Sequence, residues 1–107
     1  MISTHILDTS KGLPAAGVRV VLEKRSDTDW TPVSDGVTNQ DGRFVFADSD
    51  GTGCFRILFE IEPYLAQSGT TPFFLNLPIA FRIEDASRKY HIPLLLSPFG
   101  LSSYRGS

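Results

Sequence analysis

The feature that most constrains the fold is a two-residue period in the apolar positions, repeated in short runs along the chain. In the segment 17–24, Val18, Val20 and Leu22 alternate with charged residues. Successive side chains of a β-strand point to opposite faces, so this period predicts strands with one buried and one exposed face. Between the runs stand Gly, Pro, Asn and Asp, which favour turns. The chain is therefore expected to be all-β.

Eight segments have the pattern of strands and one has the pattern of a helix. The predicted strands, in chain order, are 3–8, 17–24, 30–38, 43–46, 55–60, 73–84, 89–96 and 102–105. A short helix is predicted at 62–67, because Pro63 suits a first helical turn and Gly69 the position just past the end. Pro78 lacks the N–H of an interior strand residue, which predicts a sheet edge or a bulge there. We expect a seven- to eight-stranded β-sandwich with one short helix.

Length and composition predict a single ordinary domain, 1–107. With 41% hydrophobic and 21% charged residues, the 107-residue chain can form a core without disulfides or metal. The net charge is −2 and the basic residues are dispersed, so nucleic acid is not an expected partner. We see no membrane-length apolar stretch and no signal peptide, and therefore expect a cytoplasmic location without membrane partners. The single cysteine, Cys54, lies in an apolar run and is interpreted as a core residue.

Histidine is the first candidate for acid–base chemistry, because its ordinary pKa lies nearest neutrality. The chain has two, His5 and His91, each in a predicted strand. The alternation of the first strand places His5 on the opposite face from Ile6. Taken singly, both histidines are more often hydrogen-bonded packing residues, and Arg43, directly after the predicted turn 39–42, is more often a solvated surface charge.

Other catalytic patterns do not occur in the sequence. Two histidines and one cysteine at these spacings match no usual zinc-ligand pattern, and no metal is expected. There is no G-x-S-x-G motif of a serine hydrolase and no glycine-rich phosphate loop. The residues taken singly leave open an enzyme, a ligand-binding module and a structural β-sandwich domain.

Longer motifs resemble a known family. They are Ile-Ser-Thr-His-Ile-Leu-Asp-Thr at 2–9 with Gly-Leu-Pro-Ala-Ala-Gly-Val at 12–18, Val-Thr-Asn-Gln-Asp-Gly-Arg at 37–43, Tyr-His-Ile-Pro-Leu-Leu-Leu-Ser-Pro-Phe-Gly at 90–100, and Tyr-Arg-Gly-Ser at 104–107. In content and order they resemble the 5-hydroxyisourate hydrolases over essentially the whole chain. In transthyretin, the hormone-carrying relative, the first histidine and the Tyr-Arg-Gly-Ser ending are replaced. The resemblance therefore favours the enzyme branch.

The resemblance implies a transthyretin-like (prealbumin-like) fold and the hydrolysis of 5-hydroxyisourate to 2-oxo-4-hydroxy-4-carboxy-5-ureidoimidazoline in urate degradation, part of purine metabolism, without a cofactor. It also implies a homotetramer, a dimer of dimers, with sites at subunit interfaces. The family's catalytic residues fall on His5, Arg43, His91 and Ser107. Its substrate-binding residues fall on His5, Arg43, Tyr104, Arg105 and Gly106. The two histidines would activate water and protonate the departing ring nitrogen, in an order that the sequence leaves open.

Three departures from the family pattern concern the rim of the implied pocket. Lys89 stands where the family commonly has another histidine, and Leu101 replaces a frequent tyrosine. The segment 73–78 lacks the usual early proline and acidic residue. None of these positions belongs to the implied catalytic set. A non-catalytic, transthyretin-like module that binds a small ligand is the alternative reading.

Overall fold

The computed structural model describes residues 1–47 and 49–106. Within them the chain forms nine β-strands and one α-helix. In chain order these are β1 (Ile2–Asp8), β2 (Leu13–Pro14), β3 (Arg19–Ser26), β4 (Asp29–Val37), β5 (Arg43–Phe46), β6 (Gly53–Glu60), α1 (Ile61–Ala66), β7 (Leu77–Ile83), β8 (Tyr90–Leu96) and β9 (Leu101–Ser103). The strands form two sheets that share one apolar core. The expected β-sandwich with one short helix is confirmed.

One sheet is held together by a parallel pair of strands. This first sheet has the order β2-β1-β8-β9, and β5 also pairs with β1. The second sheet has the order β4-β3-β6-β7. All neighbours are antiparallel except β1 and β8, which run parallel from the pair Ile2 and Tyr90 to the pair Asp8 and Leu96. A parallel pair needs a long connection, and here most of the chain, including the whole second sheet, lies between the two strands.

The core lies between the sheets and is built from alternate residues of the strands. In β1 the even-numbered residues are buried, whereas Ser3, His5 and Leu7 are partly exposed. The same alternation runs through β6 and β7. A one-residue slip would turn the buried side chains of a whole strand toward solvent. Since burying one large apolar side chain contributes about 1.5–3 kcal/mol, the slip would lose that contribution at several positions at once. The predicted orientation of His5, opposite to Ile6, is confirmed.

A buried carboxylate fixes the end of β1. Asp8 is 3% exposed and accepts hydrogen bonds from the Ser10 N–H (3.0 Å), the Ser10 hydroxyl (2.6 Å) and the Tyr64 hydroxyl (2.7 Å). Burial raises the pKa of Asp8, but the hydrogen bonds outweigh this effect and hold the pKa below 3.8. Burial, and then the Asp8 carboxylate, raise the pKa of Tyr64 to about 12. Because Tyr64 lies on α1, this pair ties the helix to the strand that carries His5.

The segment before β7 differs from its prediction. The strand predicted at 73–84 is shorter in the structure, where β7 runs from Leu77 to Ile83. The Glu62 N–H donates to the side-chain carbonyl of Asn76 and the Asn76 N–H donates to the Glu62 carboxylate, both over 3.1 Å. This reciprocal pair holds the residues before β7 against α1 and so prevents them from extending the strand. Pro78 lies in an edge strand, as predicted.

Two smaller expectations need correction. The two-residue strand β2, which pairs with the end of β1, lies in a stretch for which the sequence predicts a loop. Cys54 is half-buried on the outward face of β6, where the Arg25 guanidinium donates to its Sγ over 3.2 Å. A core position for Cys54 is therefore wrong. Its neighbour Phe55 takes the inward-facing place in the alternation.

Candidate active site

Three side chains that can carry charge share the outer face of the first sheet. His5 and Arg43 are directly opposite each other in the antiparallel pair of β1 and β5. Side chains at such positions have Cβ atoms about 4.5–5.5 Å apart. His91 lies in β8 opposite Ser3, two residues from His5 along the same face. The structure therefore brings the predicted residues His5, Arg43 and His91 together on a face that the core does not use.

The turn 39–42 sets the position of Arg43. The Asn39 side-chain carbonyl accepts a hydrogen bond from the Arg43 N–H over 3.0 Å. Gly42 has a φ of 71°, and a Cβ there would lie 2.5 Å from the carbonyl oxygen of Ile6. Only glycine fits both the conformation and the close approach. The turn thus packs directly on β1 and places the guanidinium opposite the histidine of that strand.

The imidazole of His91 is held along two edges. Its Nδ1 is hydrogen-bonded to the Ser3 hydroxyl over 2.9 Å. On the other edge Cδ2 lies against Gly106, where an added Cβ would come within 2.7 Å of it. Nδ1 and Cδ2 are the two ring atoms nearest the attachment to the chain. The distal edge, which carries Nε2, therefore points away from the strand.

The surroundings of His91 favour its neutral form. The ring is half-buried, and burial is the largest cause of its lowered pKa, followed by the charges of His5 and Arg43. The pKa of His91 consequently lies below 6.5. A neutral imidazole near pH 7 can accept a proton, as a general base must. Arg43 adds a permanent positive charge and paired donors that suit an anionic or polarised oxygen.

The tail that follows β9 returns to His91 across a gap in the ladder. The Gly106 N–H donates to the His91 carbonyl oxygen over 2.8 Å in an isolated bridge. Between this bridge and β9 lies Pro93. The Tyr90 N–H donates to the carbonyl of Met1, on the side of β8 that faces β1. Because backbone N–H groups alternate along a strand, the Pro93 nitrogen faces the tail on the other side. Because proline has no N–H to donate, the tail cannot form a backbone hydrogen bond with β8 there. The pairing is therefore interrupted at Tyr104 and resumes at Gly106.

The other tail residues lie at the edge of the sandwich. Tyr104 is 57% exposed and lines, with His91, a cleft of about 210 Å³ beside β7. The Arg105 guanidinium lies 4.9 Å from the ring centre of Tyr90, within range of a cation–π contact. Tyr90 is buried on the core side of β8, so Arg105 lies on the other side of that strand from the ring of His91. Ser107, which is predicted to be catalytic, lies outside the described residues.

The groups that could bind a metal are dispersed. Among residues 1–47 and 49–106, no three side chains of His, Cys, Asp or Glu are grouped so that they could hold an ion. Cys54 belongs to the second sheet, whereas both histidines belong to the first. The same described residues contain no helix of the length and apolarity needed to cross a membrane.

Comparison with known proteins identifies the family. The sequence matches the HIUase/Transthyretin family over residues 2–106. The chain belongs to this family. It is 41% identical to a 5-hydroxyisourate hydrolase of Salmonella typhimurium, and the match covers 100% of this chain and 81% of that protein.

Solved structures of several kinds of protein match the fold, among them a 5-hydroxyisourate hydrolase and a transthyretin. The 5-hydroxyisourate hydrolase of Klebsiella pneumoniae has a TM-score of 0.86 at 35% identity, and the match covers 99% of this chain and 98% of that one. Sea bream transthyretin in complex with thyroxine has a TM-score of 0.89 at 29% identity, with 98% and 93% covered. The expected transthyretin-like fold is confirmed. Because the two TM-scores are similar, the fold alone does not separate the two kinds of protein.

The sequence did not predict two residues that contact members of the candidate site, Ser3 and Tyr90. Ser3 belongs to the first motif, and its spacing of two from His5 places it on the same face. That spacing was the available signal. The parallel pairing that sets Ser3 beside His91 has no signal in the sequence. Tyr90, the stacking partner of Arg105, was seen only as part of a motif.

The charge of Arg43 gives a testable effect on the titration of His91. We expect Arg43→Ala to raise the pKa of His91, because a positive charge that opposes protonation is removed. The pKa should still lie below 6.5, since burial of the ring remains. An NMR titration of the ring signals measures both values. Arg25→Ala, in the second sheet, is the matched control and should leave the titration unchanged; an equal shift in both variants would contradict the arrangement.

The sign of the linked stability effect follows from the same pKa. The unfolded chain takes up the proton of this group near pH 6.5, whereas the folded chain takes it up only at lower pH. The free energy of unfolding is therefore unaffected by the protonation of His91 above pH 6.5 and decreases as the pH falls below that value, because the unfolded chain binds the proton first.

The contact of Gly106 with the ring of His91 predicts a packing defect in Gly106→Ala. The new Cβ would lie 2.7 Å from Cδ2, so ring or tail must move. We expect the free energy of unfolding to fall by about 1–3 kcal/mol, as for other overpacked sites, and the ring signals of His91 to shift. Urea unfolding and NMR measure these effects. The control is Gly100→Ala, whose Cβ would meet only the Ser97 hydroxyl at 3.4 Å. Identical behaviour of the two variants would argue against the contact.

Proposed function

We propose that this chain hydrolyses 5-hydroxyisourate to 2-oxo-4-hydroxy-4-carboxy-5-ureidoimidazoline, a ring-opening step of urate degradation. The observation that carries the proposal is the placement of His5, Arg43 and His91 on one outer face of the first sheet. The similar proteins of Salmonella and Klebsiella bear the name of this hydrolase. A cytoplasmic location stays a prediction of the sequence.

The reaction needs a base, because water is a poor nucleophile at neutral pH. His91, with its pKa lowered, takes a proton from water at Nε2 as the water oxygen bonds to the ring carbonyl carbon C6. The bond between C6 and N1 then breaks, and N1 receives a proton from His5. One water is consumed and the amide-like bond becomes a carboxylic acid and an N–H. The acid then releases its proton to solvent as it ionises, and the proton that His91 took returns to His5 through solvent, which restores both histidines. The lowered pKa of His91 supports this order of the two histidines.

Charge that develops on the substrate oxygen needs a positive partner. Arg43 lies opposite His5, and its guanidinium can donate two parallel hydrogen bonds to one planar group. Such a donor stabilises the oxyanion formed when water adds to C6. The same charge keeps His91 from being protonated in advance. Arg43 thus serves both the base and the transition state.

Each residue of the tail has its own part in the proposed binding of the substrate. Tyr104 is exposed beside His91 and can stack on a flat substrate. Gly106 borders the ring directly, and Ser107 follows it with a hydroxyl. The substrate-binding role of Arg105 requires either that its guanidinium leave Tyr90 or that the substrate reach over the edge of β8.

A homotetramer, a dimer of dimers, is part of the proposal, with the sites at subunit interfaces. The outer face of the first sheet is open in one chain, and Val45 on it is 57% exposed. Both β7 and β9 are edge strands, which are natural places for a second chain to pair. A facing subunit would cover His5, Arg43 and His91 and exclude water around them, which strengthens their electrostatic effects.

The hydrolysis itself is tested by following freshly generated 5-hydroxyisourate by ultraviolet absorbance. The purified protein should accelerate its decay over the spontaneous rate. Replacement of the base in His91→Asn should lower kcat by about two to four orders of magnitude. Arg25→Ala on the second sheet should keep the full rate, and thermal unfolding verifies that each variant is folded. Failure of the parent protein to accelerate the decay would refute the proposal and favour a ligand-binding role.

The tetramer is tested by light scattering together with one charged variant. The purified protein should have four times the 11.8 kDa mass of the chain. Val45→Lys should lower both this mass and the activity, because an unpaired charge would be buried between subunits. Val37→Lys is the matched control, since Val37 is 53% exposed on the second sheet. A monomeric parent protein, or equal effects of the two lysines, would speak against the assembly.

A further inference from the structure

We propose that Ser3 is a positioning residue for His91: its hydroxyl accepts a hydrogen bond from Nδ1–H and so leaves Nε2 unprotonated and turned toward the open face. The inference rests on the proposed function in one respect, because it is the base role of His91 that requires a free lone pair on Nε2. Ser3 itself does not touch the reacting atoms in this assignment. It acts through the ring of His91.

The first support is the contact and the framework that holds it. The Ser3 Oγ lies 2.9 Å from His91 Nδ1, which is hydrogen-bond distance. The two residues are register partners in the parallel pair of β1 and β8. Both backbones are therefore fixed by the sheet, and neither side chain has to order a loop to reach the other. A hydroxyl on a strand costs little entropy to immobilise, because serine has few rotamers.

The second support is the opposite edge of the ring. Gly106 packs so closely against Cδ2 that an added Cβ would lie 2.7 Å from it and would force the ring or the tail to move. The imidazole is thus confined between a hydroxyl and a backbone segment. A flip of the ring would put Cδ2 beside the Ser3 hydroxyl and forfeit its hydrogen bond. This confinement selects one orientation, with Nε2 outward.

The chemistry of the partner is the third support. Which nitrogen of a neutral histidine carries the proton is set by the hydrogen bond that the other nitrogen makes. An aspartate in place of Ser3 would stabilise the protonated ring and so raise the pKa of His91. A serine hydroxyl orients the ring without adding charge. It therefore leaves intact the lowering of that pKa by burial, by His5 and by Arg43.

The tautomer can be read directly from the ring ¹⁵N signals of the full-length protein. The chain has only two histidines, so the ring ¹⁵N spectrum contains only two sets of signals, and loss of one set in His5→Gln assigns the other to His91. We expect the Nδ1–H tautomer of His91 to dominate in the parent protein above its pKa. In Ser3→Ala the constraint is removed, and the population of the Nε2–H tautomer should rise.

Kinetics with 5-hydroxyisourate supply the second arm of the experiment. Loss of one hydrogen bond should lower kcat of Ser3→Ala by about three- to tenfold, with KM changed by less than about twofold. Ser3→Thr keeps the hydroxyl and suits a strand, so it should restore most of the rate and the parent tautomer. Ser26→Ala, an exposed serine in the second sheet, is the matched control and should change neither.

The outcomes separate this inference from the proposed function. A parent protein in which the Nε2–H tautomer of His91 dominates would overturn the role of Ser3, whatever the activity. An unchanged tautomer in Ser3→Ala would overturn it too, even if the rate fell. If the parent protein did not hydrolyse 5-hydroxyisourate, the proposed function would fail, and the NMR arm would still decide whether Ser3 sets the ring of His91. Thermal unfolding of Ser3→Ala and Ser3→Thr verifies the fold.

Discussion

The parallel pairing of β1 with β8 is the contact on which both the core and the candidate site depend. On the inner side it aligns buried residues of the two strands, such as Ile6 and Leu94, within one apolar cluster. On the outer side it sets Ser3 beside His91 and brings His5 onto the same face. Because every side chain of a strand alternates, one register decides both faces at once. A slip of β1 by one residue would turn His5 toward the core and would turn the buried residues of that strand, such as Ile6, toward solvent.

The two close approaches of glycine show how the outer face is completed around that pair. Gly42 lets the turn before β5 lie against the Ile6 carbonyl, which delivers Arg43 opposite His5. Gly106 lets the tail lie against the ring of His91. At each place the backbone itself is the packing surface. The backbone conformation at these two glycines therefore determines where Arg43 and the ring of His91 lie.

The sequence predicted what depends on local periodicity, and missed what depends on long-range pairing. The orientation of His5 followed from the alternation in β1, and the edge position of Pro78 from its missing N–H. The motifs also named the three residues that the structure brings together. The pairing of Ser3 with His91 joins opposite ends of the sequence and leaves no local pattern. The early part of the predicted strand 73–84 failed for a similar reason, because a side-chain contact with α1 overrides its strand propensity.

The family holds named hydrolases and a transthyretin solved in complex with thyroxine on one fold, so the fold alone does not decide between catalysis and binding. A pocket for a ligand needs only shape and a few polar groups. A base for hydrolysis must in addition be neutral at working pH and have its lone pair aimed outward. In the proposed mechanism, burial and the charge of Arg43 lower the pKa of His91 and so serve the first demand, and the proposed hydrogen bond from Nδ1–H to Ser3 would serve the second. A face that only binds a ligand does not require both properties together, so their combination supports catalysis.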